Sequence, residues 1–165
     1  MKGVVEMTEI LEEELAEEDT QKGRYLTFAL ENEFYGIEIK YITEIIGLQP
    51  ITVVPELPNY ICGIINLRGK IIPVMDIRLR FHKQSRGYDD RTCVIIIEIM
   101  NLTMGLIVDS VEEVLSIPDS EIVDPTEVSM VINKYIKGIG KVGNKVMLLL
   151  DCSKLLDIDE FEKLK

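Results

Sequence analysis

The sequence has no tryptophan, one histidine and three cysteines, and each shortage closes off a class of chemistry. His82 stands in a charged stretch after Phe81, with no nucleophile or second imidazole beside it, so catalysis through it is not expected. Cys62, Cys93 and Cys152 are far apart, each beside apolar residues, with no CxxC pair and no Cys/His cluster. Neither a metal centre nor a redox site is predicted, and separate thiols suit a reducing cytoplasm. No GxGxxG or Walker pattern follows a strand, and Ser110, Ser116, Ser129 and Ser153 lack a GxSxG setting. No apolar run approaches about 18 residues and no charged-then-apolar leader is present, so neither a membrane span nor export is predicted. Basic residues are scarce too. With 18 Lys and Arg against 29 Asp and Glu, the net charge is −11, which repels nucleic-acid phosphates and anionic lipid alike. Acidic residues are plentiful, but Glu112-Glu113 and Asp157–Glu160 read as solvated faces. Six tyrosines and four phenylalanines leave the core to small β-branched side chains, which suits tight barrels better than a ligand cavity. No catalytic, cofactor or metal residue is assigned, and the chain is not read as an enzyme.

What the chain does contain, it contains twice. Ile61 to Asp76, ICGIINLRGKIIPVMD, lies over Ile136 to Asp151, IKGIGKVGNKVMLLLD, at a shift of 75. Tyr60 meets Tyr135, Gly63 meets Gly138, Lys70 meets Lys145 and Asp76 meets Asp151. Both copies read as two apolar β-rich runs joined by a two-residue turn, the signature of a hairpin. The second copy turns on Gly143-Asn144, both easily placed at positive φ. The first turns on Arg68-Gly69, where an arginine gains nothing conformationally. Either a plain turn tolerates it or its side chain is wanted at the tip.

Residues 1–23 are rich in glutamate, and Ile10, Leu11 and Leu15 offer a narrow helical stripe. Charge repulsion predicts an arm that is disordered, or helical only when docked. From Arg24 the pattern alternates: Leu26, Phe28 and Leu30, then a turn at Glu31–Glu33, then Tyr35, Ile37 and Ile39. These are two half-buried strands. Ile42, Ile45 and Ile46 stand at helical spacing before Gly47, which predicts a short helix with Thr43 and Glu44 on its open side. Pro50, Pro55 and Pro58 confine Ile51–Val54 to an edge strand or an extended loop. The hairpin follows, then a helical turn over Ile77–Phe81 and an exposed connector. Val94–Ile99 fits a central strand, Gly105–Val108 returns, and Val111, Val114 and Leu115 repeat the helical spacing at a shift of 69. Because the shift then grows to 75, the second copy has a longer loop near Ser120–Lys134. Asp76 and Asp151 are predicted to cap the helical turns that follow them.

These residues predict an all-β protein with short helices, built from a duplicated unit of about 60 residues. Short strands hide their edges by curling closed, so two small five-stranded barrels packed together are expected. The first spans about 24–82, the connector 83–91 and the second about 92–151, with strand exchange between the halves left open. A C-terminal helix is expected over 152–165. At the first tip, Glu44 is the candidate partner for Arg68, because a guanidinium can hold a carboxylate by two hydrogen bonds.

The segments GIEIKYITEIIG and YICGIINLRGKIIPVMDIRLRF, on either side of the Pro-bracketed stretch, resemble the CheW family of bacterial chemotaxis coupling proteins. NLRG-x-x-x-P-x-x-D, from Asn66 to Asp76, is the most specific part, and the likeness runs from about Arg24 to Asp157. It implies two SH3-like barrels, no catalysis and no cofactor. It also implies a cytoplasmic adaptor, monomeric alone, joining the cytoplasmic tips of methyl-accepting chemoreceptors to the histidine kinase CheA in membrane-associated arrays. The kinase's regulatory domain has the same double-barrel fold and forms rings with the adaptor. A chemotaxis-like pathway with another output, such as pilus motility, is the alternative. Carried over by position, Glu44 matches the family's glutamate before the hairpin. Asn66, Leu67, Arg68 and Gly69 match its NLRG, associated with receptor docking and signalling. Ile64, Ile65 and Val74 fall on strands beside the groove expected to receive the receptor tip.

Overall fold

The computed structural model describes residues 2–15, 22–127 and 134–157. Helix α1 (Lys2–Leu15) precedes the antiparallel pair β1 (Arg24–Leu30) and β2 (Glu33–Glu38), in which Leu26 faces Ile37. A 3-10 turn over Ile39–Tyr41 leads into β3 (Ile42–Gly47). The predicted hairpin is β4 (Ile61–Leu67) and β5 (Lys70–Asp76), followed by α2 (Ile77–Arg80). The second half repeats the order with β6 (Cys93–Ile99), β7 (Leu102–Val108), β8 (Ser110–Ser116), β9 (Ile122–Val123), β10 (Ile136–Val142), β11 (Lys145–Leu150) and α3 (Cys152–Leu156). Both predicted caps form: Asp76 Oδ1 accepts from the Arg78 amide at 2.9 Å and Asp151 Oδ1 from the Lys154 amide at 3.2 Å. Beyond Asp157, the predicted C-terminal helix lies outside the described residues.

The helices predicted around Ile42–Ile46 and Val111–Leu115 are instead strands β3 and β8. A bulge in each explains the misreading. Opposite β6 the register shifts between Ile42 and Glu44, so Ile42 and Ile45, three apart, both point inward at 2% and 3% exposure. In β8 the shift sets Glu112 and Glu113 against the single residue Thr27 of β1. The Thr27 hydroxyl fills that bulge, donating to the Glu113 carbonyl at 2.8 Å and accepting from its amide at 3.1 Å. A bulge converts a period of two into a spacing of three, and over so short a stretch this mimics a helix. The β-branched content of Ile42–Ile46 is strand chemistry.

Strands pair across the halves. One sheet runs β8-β1-β2-β11-β10-β9 and the other β3-β6-β7-β5-β4. Each half lends its opening hairpin to the remaining strands of the other, through the parallel pairs β2·β11 and β5·β7. The two SH3-like units therefore do not follow one another along the chain as 24–82 and 92–151; they are reciprocally exchanged. The sixth strand of the first sheet, β9, comes from the longer loop of the second half. Its counterpart in the first half is a single bridge between Thr52 and Ile64.

Burial follows from this interlacing. Ile95 and Ile97 of β6 enter a central cluster shared by the two sheets, while Val94 and Ile96 face the interior of the second sheet with Ile65, Ile72, Val74 and Ile107. A strand covered on both faces reads as an unbroken apolar run. Tyr25, Ile117, Met147 and Leu149 fill the first sheet's own interior. Helix α1 seats Met7 in the central cluster, with Val4 packed beside it. Ile10, expected on the docking stripe, is 41% exposed. The side chains of Leu11 and Leu15 lie outside the described residues.

Candidate protein-docking site

At the β4–β5 tip, Leu67 and Lys70 close the ladder, and Arg68 (φ 51°) and Gly69 (φ 87°) make the turn. Positive φ at both central residues is the type I′ arrangement, whose twist matches the flanking strands. Glycine adopts it freely, whereas a side-chain-bearing residue loses about 1 kcal/mol there. The turn is steadied by Asn66, whose Oδ1 accepts from the Gly69 amide at 2.8 Å. The Arg68 guanidinium then reaches the Glu44 carboxylate, Nη2 to Oε1. Since β3 and β4 are the outer strands of one sheet, this ion pair bridges the sheet's two edges. The Arg68 side chain is 70% exposed and that of Glu44 26%, so the pair contributes below about 1 kcal/mol. It orients the guanidinium more than it holds the fold together.

Cross-strand pairing sorts the remaining tip residues. Asn66 opposes Ile71 and Ile64 opposes Pro73, placing these four on the outer face. Ile64 is half-buried, bonded through its amide and carbonyl to Thr52 at 2.9 Å each. Gly63 (φ 149°) permits that approach, because a Cβ there would strike the Thr52 carbonyl oxygen. Ile65 and Val74, assigned to docking by resemblance, face the other way. At 2% and 0% exposure they belong to the second sheet's interior and support the tip from behind. Leu67 is half-buried against that same interior. Ile71, which the sequence reading passed over, is 57% exposed beside the tip. Its counterpart at a shift of 75 is Val146, 55% exposed, and that repetition of an apolar residue next to a lysine was the available signal.

A buried charge cluster was also missed. Arg78, only 4% exposed, donates from Nε to Asp109 Oδ1 at 2.7 Å, from Nη2 to Asp109 Oδ2 and from Nη1 to Glu31 Oε1 at 2.8 Å. Asp109 Oδ2 also accepts from the Glu31 amide at 3.0 Å and from Arg86 at 3.1 Å. Asp109 follows β7 and Glu31 turns β1 into β2, so the cluster ties α2, the connector and both sheets together. Burial pushes the Asp109 carboxyl upward, but the hydrogen bonds from Arg78 and the Glu31 amide outweigh it and hold it below the usual carboxylate range. Arg80, 5% exposed, lies 4.1 Å from the Tyr60 ring and 4.9 Å from the Tyr135 ring, and donates to the Leu155 carbonyl at 3.1 Å. Tyr60 and Tyr135 are counterparts in the duplication, as are Arg80 and Leu155. The Tyr88 hydroxyl donates to Asp76 Oδ2 at 2.9 Å, pinning the connector. His82 is exposed at the start of that connector. This cluster is paired charge that holds elements in place, whereas the β4–β5 tip is exposed.

Three comparisons with known proteins bear on the fold and the family. The family profile described as CheW-like domain matches residues 24–160. The chain is 36% identical over 143 residues to the chemotaxis protein CheW of Klebsiella aerogenes, covering 86% of each chain. It is 33% identical over 135 residues to that of Bacillus subtilis, covering 81% of this chain and 86% of the relative. The crystal structure of the scaffolding protein TtCheW from Thermoanaerobacter tengcongensis superposes with a TM-score of 0.76 at 37% identity, covering 83% of this chain and 94% of that one.

Proposed function

The chain belongs to the CheW-like family of chemotaxis adaptors, and from that membership we propose that it couples the cytoplasmic tips of chemoreceptors to the histidine kinase CheA without catalysing a reaction. The observation that carries this reading is the β4–β5 tip. An arginine occupies a strained turn position, is held by Glu44 and stands in solvent, an arrangement that serves recognition better than stability. Asn66, Gly69 and the exposed Ile71 complete the contact surface, while Ile64, Leu67, Ile65 and Val74 set its shape.

Receptor tips and the kinase's regulatory domain are brought together at this end of the protein. Each contact is modest, at or below about 1,200 Å². Strength comes from repetition in rings of adaptor and kinase, since linked sites raise one another's effective concentration. The adaptor works in the cytoplasm and meets the membrane through the receptors. Among the described residues no helix is long and apolar enough to cross a bilayer.

The test is Arg68→Glu, which places like charges at the tip and Glu44. The variant is expected to melt with stability within about 1 kcal/mol of the parent. It is also expected to lose receptor-dependent activation of the kinase in reconstituted membranes. A double-mutant cycle of Arg68→Ala and Glu44→Ala, read as binding to the isolated regulatory domain, is expected to show coupling between the two residues. A folded Arg68→Glu variant that activates the kinase normally would remove the tip from the mechanism.

A further inference from the structure

Strands β5 and β7 run parallel with Val74 beside Gly105, so three residues back along each, Ile71 stands beside Leu102. The β6–β7 turn therefore lies next to the β4–β5 tip. Lys70 ties the two together, its Nζ donating to Thr103 Oγ1 at 3.2 Å. That neighbouring turn is Met100-Asn101, flanked by the paired Ile99 and Leu102, with φ of 49° and 66°. Asparagine is at home in such a turn, and methionine is not. At a shift of 69 the counterpart of Met100 is Glu31, also at positive φ (56°), whose carboxylate serves the Arg78 cluster. Met100 is instead 75% exposed, at the same end of the sheet as the exposed Ile71.

No other sulfur among the described residues is as open. Met7, Met75, Met104 and Met147 are at most 7% exposed. Cys93 and Cys152 are buried and Cys62 is half-buried. Burial raises the pKa of all three thiols, which keeps them protonated and slow toward oxidants. A thioether needs no deprotonation to react, so access decides which methionine is attacked. An oxidant approaching the described part of the molecule meets Met100 first, one strand from the docking tip.

We propose that Met100 is a reversible oxidation site, at which hydrogen peroxide loosens the partner held at the adjoining β4–β5 tip. The Met100 Sδ attacks one peroxide oxygen, so that an S–O bond forms and the O–O bond breaks. The sulfur gives up an electron pair, and the other oxygen leaves as water carrying both protons. The product sulfoxide replaces an apolar contact with a strong hydrogen-bond acceptor that a docked partner would have to desolvate. A thiol-dependent reductase reverses the step: the oxygen departs as water while two thiols close to a disulfide. Taking the partner to be the kinase's regulatory domain rests on the coupler reading above.

The test compares the full-length parent with full-length Met100→Leu, before and after exposure to hydrogen peroxide that is then removed. Peptide mass mapping is expected to find the added oxygen at Met100 ahead of the other described methionines. Binding of the oxidised parent to the isolated regulatory domain is expected to weaken about tenfold. Treatment with methionine sulfoxide reductase and a thiol is expected to restore it. Met100→Leu keeps the apolar bulk without the sulfur and is expected to bind alike before and after peroxide. An oxidised parent that binds as tightly as the untreated one overturns the oxidation site and leaves the coupler reading intact. So does a Met100→Leu variant that weakens as much as the parent. Absence of binding by the untreated parent removes both.

Discussion

The two hairpin tips come from one pattern and turn differently. At β10–β11, Gly143 takes the positive φ (59°) and Asn144 does not, so the turn needs left-handed backbone only where glycine stands. The sequence allowed both residues that conformation; the structure uses it once. At β4–β5, positive φ falls on Arg68 as well as Gly69. Behind each tip the framework is the same. Glu44 in β3 and Glu113 in β8 coincide at a shift of 69, and each follows or occupies a bulge. Glu44 meets Arg68, whereas Glu113 is exposed and the matching Gly143 offers it no cation. Local energetics favour the second tip. The departure at the first is the observation on which the docking proposal rests. The same contrast continues into the helices, where buried Arg78 and Arg80 face Ser153 and Leu155 at the matching positions.

The largest effect is expected where that asymmetry is buried. Arg78→Ala strands Asp109 without its bidentate partner and is expected to lose about 3–5 kcal/mol in urea unfolding. Ser153→Ala removes one exposed hydrogen bond to Asp151 and is expected to lose about 1 kcal/mol at most. Equal losses at the two positions would dissolve the distinction between a charged first half and a neutral second one.

A smaller effect separates the charge of the cluster from its packing. The folded-state pKa of Asp109 is lowered, so its contribution is fully present above the unfolded carboxylate value of about 4 and is lost as pH falls through the folded one. The parent's advantage over Asp109→Asn, measured as the urea midpoint, is therefore expected to hold at neutral pH and to close in acid. A gap that stayed constant into acid would assign the cluster's stability to shape alone.

How much of this was legible depended on whether the cause was local. Alternation at Leu26–Leu30 and Tyr35–Ile39, the hairpins and the two aspartate caps were readable because neighbours in sequence decide them. The Glu44–Arg68 pair was readable for a different reason: Arg68 breaks a preference that its sister copy obeys. That same comparison could have found Arg78 and Arg80 against Ser153 and Leu155, but two arginines in a charged stretch look solvated until the fold buries them. The bulges in β3 and β8 hid strands behind a helical spacing. Strand exchange was out of reach, since each opening hairpin has the same pattern whichever half it joins. Ile65 and Val74 lay beyond the motif's resolution, because a match by position does not say which face of a strand a residue takes.

The smallest stability effect carries the sharpest test. Arg68→Gly relieves the side-chain penalty of a left-handed backbone, about 1 kcal/mol, but frees the unfolded chain and removes an exposed ion pair, each by less than about 1 kcal/mol. These terms offset, so the melt is expected to stay within about 1 kcal/mol of the parent while receptor–kinase coupling is lost. The reciprocal change, Gly143→Arg, places arginine at φ 59° with nothing within 4 Å of its Cβ, and is expected to lose about 1 kcal/mol to strain alone. Added to Arg68→Gly, it is expected to leave kinase activation unrestored, because the sister tip belongs to the other sheet, away from the Asn66 and Ile71 surface. Restored activation would mean that an arginine at either tip suffices. The site would then be a property of the repeated unit, and the strain borne at Arg68 would have no need of that particular end of the molecule.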